Sequence, residues 1–169
     1  MYNRFKVIFA LDYSGSMSGN KIRSAVENIK NIFDNYIDEN DYISVVTFNG
    51  FVMTNLPLTI KRDNEISIGS TISSLIHPNG GTAFYLAIDE TMNMLEGNHT
   101  QNDWIVALTD GEDNCSKSGQ KEKIIKRLSS SDNGLVIIGV GQDVQTNILE
   151  EIAHSSIKGF SSIQLISSQ

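Results

Sequence analysis

Short, nearly unbroken apolar runs alternate along this chain with longer stretches in which apolar residues return every three or four positions. Phe5 to Leu11 is the first run and predicts a buried strand. Ile22, Val26, Ile29, Phe33 and Ile37 then recur at helical spacing, with Ser18 as the expected cap. Tyr42 to Phe48 predicts a second strand, and Asn49-Gly50 is the strongest hairpin signal in the sequence. It hands the chain to Phe51-Val52-Met53-Thr54 as an antiparallel partner, with Pro57 at the end of an edge strand. A helix follows over Glu65 to Ile76, with Ile68, Ile72 and Leu75 inward. A second carries Phe84, Ala87, Ile88, Met92 and Leu95 on one face. Trp104 to Leu108 and Leu135 to Val140 are two further buried strands, separated by a short helix around Ile124, Ile125 and Leu128. Val144, Ile148 and Ile152 mark a last helix, and Phe160 to Leu165 a last strand.

Strands that are apolar throughout, alternating with helices, predict a mostly parallel sheet covered on both faces. The expected fold is α/β: a Rossmann-like three-layer sandwich with one antiparallel edge strand. Residues 1–169 read as a single domain, without repeats or low-complexity tracts. The tail Ile166-Ser167-Ser168-Gln169 carries no helical pattern.

Composition narrows the possible functions. The net charge is −7 with no basic stripe, which argues against nucleic acid or an anionic membrane as partner. The cationic residues Lys121, Lys123, Lys126 and Arg127 read as the solvated face of a helix. No run reaches the roughly 18 apolar residues of a membrane span, so direct membrane insertion is not expected. One cysteine, Cys115, permits no internal disulfide. With no signal-peptide shape at the N-terminus, the expected compartment is the cytoplasm, an extracellular one staying open if the chain is a fragment. Two sequons, at Asn98 and Asn114, are chance-level matches in an Asn-rich chain.

The candidate chemistry sits in loops at the carboxyl ends of strands, where open α/β sheets collect ligands. Asp12, Ser14 and Ser16 leave the first strand at every second position. Asp110 follows the Trp104 strand in Thr109-Asp110-Gly111-Glu112, and Thr82 follows two glycines ahead of the Phe84 helix. Two carboxylates and three hydroxyls are hard oxygen donors and suit Mg²⁺. Each fragment alone has a plainer reading. Asp12 to Ser16 could be an Asx-turn or a helix cap, Thr82 an N-cap, and Asp110 a turn residue. Glu112 and Asp113 could shape the rim or be solvated turn residues.

D-Y-S-G-S-M after the first strand, G-G-T-A-F before a helix and L-T-D-G-E after the fourth strand together resemble a von Willebrand factor type A domain. The resemblance spans nearly the whole chain and implies a complete metal-ion-dependent adhesion site. Asp12, Ser14, Ser16, Thr82 and Asp110 would hold Mg²⁺ or Mn²⁺, the two aspartates directly or through water. In the family a partner's Asp or Glu typically completes the shell, so the implied function is metal-dependent protein binding. The implied rim is Tyr13, Met17, Asn79 and Phe84. Family members commonly end with a helix after the last strand, and nothing after Phe160 reads as one. The chain is either cut from a longer protein or lacks that helix, and the family's conformational switch is not carried over.

Two other functions remain to be weighed. A Mg²⁺-dependent hydrolase or phosphotransferase would use the same sheet edge, but the position of a second acid two residues after Asp12 holds Ser14. A scaffold that no longer uses the ion is the other. His77, His99 and His154 stand singly. Gly15 to Lys21 lacks P-loop spacing, and Gly139-Val140-Gly141 lacks the third glycine of a dinucleotide fingerprint.

Overall fold

The apolar runs become strands because both of their faces are buried. Val7, Phe9 and Leu11 point into one core with Ile43, Val45, Val106, Leu108, Ile138 and Val140. Ile8 and Ala10, their alternates, point into a second core with Val46, Phe48, Ile105, Ala107, Leu135 and Ile137. The structure, a computed structural model, describes residues 4–96, 102–111, 113–142, 144, 146–156 and 162–166.

In chain order the elements are β1 (Lys6–Asp12), a single 3₁₀ turn (Gly15–Met17), α1 (Asn20–Tyr36), β2 (Tyr42–Phe48), β3 (Val52–Ile60), α2 (Glu65–Ser73), α3 (Phe84–Glu96), β4 (Asp103–Thr109), α4 (Gln120–Ser129), β5 (Gly134–Val140), α5 (Thr146–Ala153) and β6 (Ser162–Ile166). The six-stranded sheet has the order β3-β2-β1-β4-β5-β6. β3 is antiparallel to β2, and every other pairing is parallel. Helices α1 and α2 supply the first core, and α3, α4 and α5 the second. This is the three-layer α/β sandwich expected from the pattern.

Several local expectations change. Ser18 does not cap α1: its N-cap is Gly19, at φ 82°, without a side-chain capping bond. Ile37 is buried but lies just past the helix, in extended conformation. The hairpin is real, but its loop runs through Asn49, Gly50 and Phe51, and Gly50 is not at positive φ. Phe51 N–H donates to Asn49 Oδ1 at 2.9 Å, and Asn49 N–H to Phe51 O at 2.9 Å. β3 continues past Pro57, which falls where the register shifts between the Val45–Leu56 and Ile43–Thr59 pairs. An edge bulge accommodates a residue with no N–H to donate. The last strand begins at Ser162 and includes Ile166. Phe160, the residues after Ile166, His99, Glu112 and the Asn98 sequon lie outside the described residues.

The cationic residues of α4 are not simply solvated. Arg127 Nη1 reaches Asp89 Oδ1 at 2.8 Å and Lys123 Nζ reaches Asp89 Oδ2 at 2.9 Å, fastening α4 to a buried carboxylate on α3. Burial alone would raise the Asp89 pKa, but the hydrogen bonds and charges of Lys123 and Arg127 hold it below the ordinary carboxylate value. An exposed pair such as Arg62–Glu39, at 3.9 Å, contributes at most about 1 kcal/mol. Each fully buried Ile, Leu or Phe side chain contributes about 1.5–3 kcal/mol, so side-chain packing dominates.

One polar contact closes the open end of α1. Lys61, just after β3, donates from Nζ to Phe33 O and Ile37 O, both at 2.7 Å, and lies 4.6 Å from the Phe33 ring centroid. A cation there satisfies terminal carbonyls and complements the helix dipole. Lys61→Met keeps the aliphatic stem and removes the donor. Its urea midpoint is expected to fall with an unchanged m-value, by about 2 kcal/mol of stability. An unaltered midpoint would show the cap to be energetically silent.

Candidate metal centre

The chain leaves β1 towards α1 on one face of the sheet and leaves β4 towards α4 on the other. β1 and β4 are neighbours, so their diverging connections open a crevice at the carboxyl ends. Parallel register sets Leu11 beside Leu108, which brings Asp12 level with Thr109. The Asp12 carboxylate is fully buried at that crevice. Its Oδ1 accepts the Ser14 N–H at 3.0 Å, and its Oδ2 accepts the Thr109 hydroxyl at 2.7 Å.

The plain Asx-turn reading of Asp12 is therefore present, but it accounts for the carboxylate and not for the hydroxyls. Ser14 is the N-cap of the 3₁₀ turn and makes no side-chain capping bond. Its Oγ lies instead 3.0 Å from Ser16 Oγ, so the two hydroxyls face each other. Nor is Thr82 required as the cap of α3. The Tyr85 N–H is taken by Asp113 Oδ2 at 2.8 Å and the Leu86 N–H by Ser116 Oγ at 3.1 Å, both arriving from the loop after β4. Thr82 itself is buried.

Backbone bonds stitch the three loops together. Gly15 N–H donates to Gly80 O at 3.0 Å, and Asn79 N–H to Tyr13 O at 2.9 Å. Thr82 N–H donates to Asn114 Oδ1 at 2.9 Å, while Thr82 O accepts the N–H groups of Asn114 and Cys115 at 2.8 and 3.0 Å. Ala83 N–H reaches back to Asn49 O at 2.7 Å. Gly81 lies tight against the loop after β4: a methyl there would meet Cys115 Sγ and crowd Asn114 Oδ1, so the Cys115 side chain would have to turn away to admit one.

Asp110, the last predicted ligand, is mostly buried and carries a cation already: Lys21 Nζ lies 3.2 Å from its Oδ2. Asp12 and Asp110 are close enough to repel. Burial is the main reason that the Asp12 pKa is pushed up to about 6, opposed by the Ser14 and Thr109 hydrogen bonds and assisted by the charge of Asp110. Among the described residues, no group of three or more His, Cys, Asp or Glu side chains gathers to hold a metal. Any ion bound here has to draw on hydroxyl oxygens as well as Asp12 and Asp110, which suits a hard divalent cation.

The rim differs from expectation. Met17 and Phe84 are buried core residues and cannot meet a partner, whereas Tyr13 is half-buried and Asn79 exposed. Phe51, at the hairpin tip, is 80 % exposed. Asp113 is more than a solvated turn residue, since its carboxylate accepts the backbone N–H groups of Tyr85, Cys115 and Ser116. Lys21, Asn49, Thr109 and Asn114 are the supporting residues that sequence reasoning missed. In sequence Asn49 marks a hairpin, Thr109 a turn, Lys21 the end of a failed P-loop match and Asn114 a sequon, and none of these signals points to the contacts made here; the Asn114 side chain, for one, accepts the Thr82 N–H.

Residues 6–164 match the von Willebrand factor type A domain. The chain belongs to that family. Among curated relatives, the inter-alpha-trypsin inhibitor heavy chain H2 of Mus musculus is 28 % identical over 160 residues, covering 89 % of this chain and 17 % of the relative. This von Willebrand factor type A chain thus spans about a sixth of that relative's length. Among solved structures, a von Willebrand factor type A protein from Catenulispora acidiphila superposes with a TM-score of 0.85 at 20 % identity, covering 96 % of this chain and 38 % of that one. Proximal thread matrix protein 1 from the mussel byssus, described with a zinc-occupied MIDAS motif, gives a TM-score of 0.75 at 22 % identity, covering 98 % and 42 %.

Burying Asp12 has a measurable consequence without metal. Its folded pKa of about 6 lies above the ordinary 3.8, so its contribution to stability is full below pH 3.8 and is lost as pH rises through 6. The gap is worth about 3 kcal/mol at most. Asp12→Asn keeps the shape and removes the charge. In chelator at pH 7 it is expected to be more stable than wild type to urea, with the difference vanishing near pH 3.5. Lower stability of Asp12→Asn at pH 7 would contradict this account of the carboxylate.

Proposed function

We propose that this von Willebrand factor type A domain is a divalent-cation-dependent protein-binding module. Asp12, Ser14, Ser16, Thr82 and Asp110 hold Mg²⁺ or Mn²⁺, and an Asp or Glu side chain of the partner completes the shell. The observation that carries this reading is the paired Ser14 and Ser16 hydroxyls, 3.0 Å apart and free of capping duty, beside the buried Asp12 carboxylate. A divalent ion supplies the positive charge that a carboxylate buried without a cation of its own lacks. The metal-occupied site described for the mussel protein, on the same fold, supports it.

The binding reading is favoured over a hydrolase by the state of the acids. Both Asp12 oxygens are engaged by fixed donors, and Asp110 is held by Lys21, so neither is presented as a nucleophile or base. The exposed thiol of Cys115 agrees with a reducing cytoplasmic setting. No helix among the described residues is long and apolar enough to cross a membrane.

Titration with Mn²⁺ followed by electron paramagnetic resonance tests the ligand set. Loss of an outer-shell partner costs a metal site about 10–100-fold in affinity, so Ser14→Ala and Thr82→Ala should each weaken binding at least that much. Wild-type affinity in both variants would remove these residues from the site.

Partner capture from a lysate should persist in Mg²⁺ and disappear in chelator. It should also tolerate added salt, because the domain's charge of −7 offers an acidic partner no long-range attraction and the ion acts within a Debye length of about 8 Å. Capture that survives chelation would sink the proposal.

A further inference from the structure

Lys21 stands in the first turn of α1, where the helix dipole disfavours a cation. Its side chain nevertheless runs inward, across Gly141 at the end of β5, to the carboxylate of Asp110. A Cβ on Gly141 would lie 3.0 Å from Lys21 Cε, and Nζ ends 3.2 Å from Asp110 Oδ2. Gly141 is held at φ 92° with its N–H on Ile166 O at 3.1 Å, so the backbone beneath the Lys21 side chain is fixed. An ammonium thus sits on an acid of the candidate metal site, carried there by a side chain only 28 % exposed.

We infer that Lys21 is a built-in counter-cation that weakens the site's own hold on a divalent ion and makes it dependent on a carboxylate from outside. This rests on the metal-binding reading above. Two ionised aspartates neutralise a divalent ion completely. With Lys21 beside them one positive charge is left over, and one partner carboxylate cancels it. Lys21 acts through Asp110 and through charge, as a positioning residue, and does not touch the ion.

The test compares wild type, Lys21→Met and Lys21→Arg, each checked for an intact thermal transition, by titration with Mn²⁺ alone and then with Mn²⁺ in the presence of acetate. Removing one charge at this range is expected to tighten Mn²⁺ binding by Lys21→Met about tenfold or more. Acetate should strengthen Mn²⁺ binding in wild type and in Lys21→Arg, and much less in Lys21→Met. Equal or weaker Mn²⁺ affinity in Lys21→Met, with wild type binding normally, overturns the role of Lys21 and leaves the metal site standing. Lys21→Arg behaving like Lys21→Met overturns it as well, since charge would then not be the cause. No Mn²⁺ binding by any of the three overturns the metal site and this inference together.

Discussion

A buried carboxylate governs the arrangement of this domain. Asp12 is placed by the register of β1 at the point where the connections from β1 and β4 part to opposite faces of the sheet. A charge removed from water needs donors or a cation, and neighbouring elements bend to supply them. Thr109 turns its hydroxyl inward from β4, and the chain after Asp12 folds back so that the Ser14 N–H is shared. These bonds only partly offset the burial, and the Asp12 pKa stays raised. The result is a site held in shape by neutral donors and still short of positive charge.

The loops around that carboxylate act as one body because polar side chains clamp backbone to backbone. Asn49 supports the segment before α3 through its carbonyl on Ala83 and through Nδ2 on Asn79 O at 3.0 Å. Asn114 does the same from the other side, on the Thr82 N–H. Tyr13 contributes its phenol oxygen as well, accepting the His77 N–H at 2.8 Å. Such clamps hold the loops around Asp12 in place without drawing on the Ser14 hydroxyl as a cap. α3 is likewise held from a distant loop, by Asp113 and Ser116.

Charge is distributed along the same lines. Asp89 and Asp110 are both screened from solvent, and each has drawn in lysine or arginine. At Asp89, two cations from α4 close the account and the pair of helices is fastened. At Asp110 a single lysine crosses a glycine floor, beside a second acid that has none.

The sequence by itself determined the layers, because a strand buried on both faces must be apolar at consecutive positions and a packed helix at every third or fourth. It also offered Asp12, Ser14, Ser16, Thr82 and Asp110 as candidate oxygen donors, through three short motifs at strand ends taken together. What the tertiary structure alone decided was everything that depends on contacts between distant segments. Met17 and Phe84 look like rim residues beside the motif, yet packing buries them. Ser18 looks like a cap, yet Gly19 takes that place because the chain turns at positive φ. Lys21 carries no signal in sequence of its contact with Asp110, 89 positions away. Local pattern encodes burial and turn chemistry, whereas an ion pair across a sheet is fixed only when strand order and register bring its ends together.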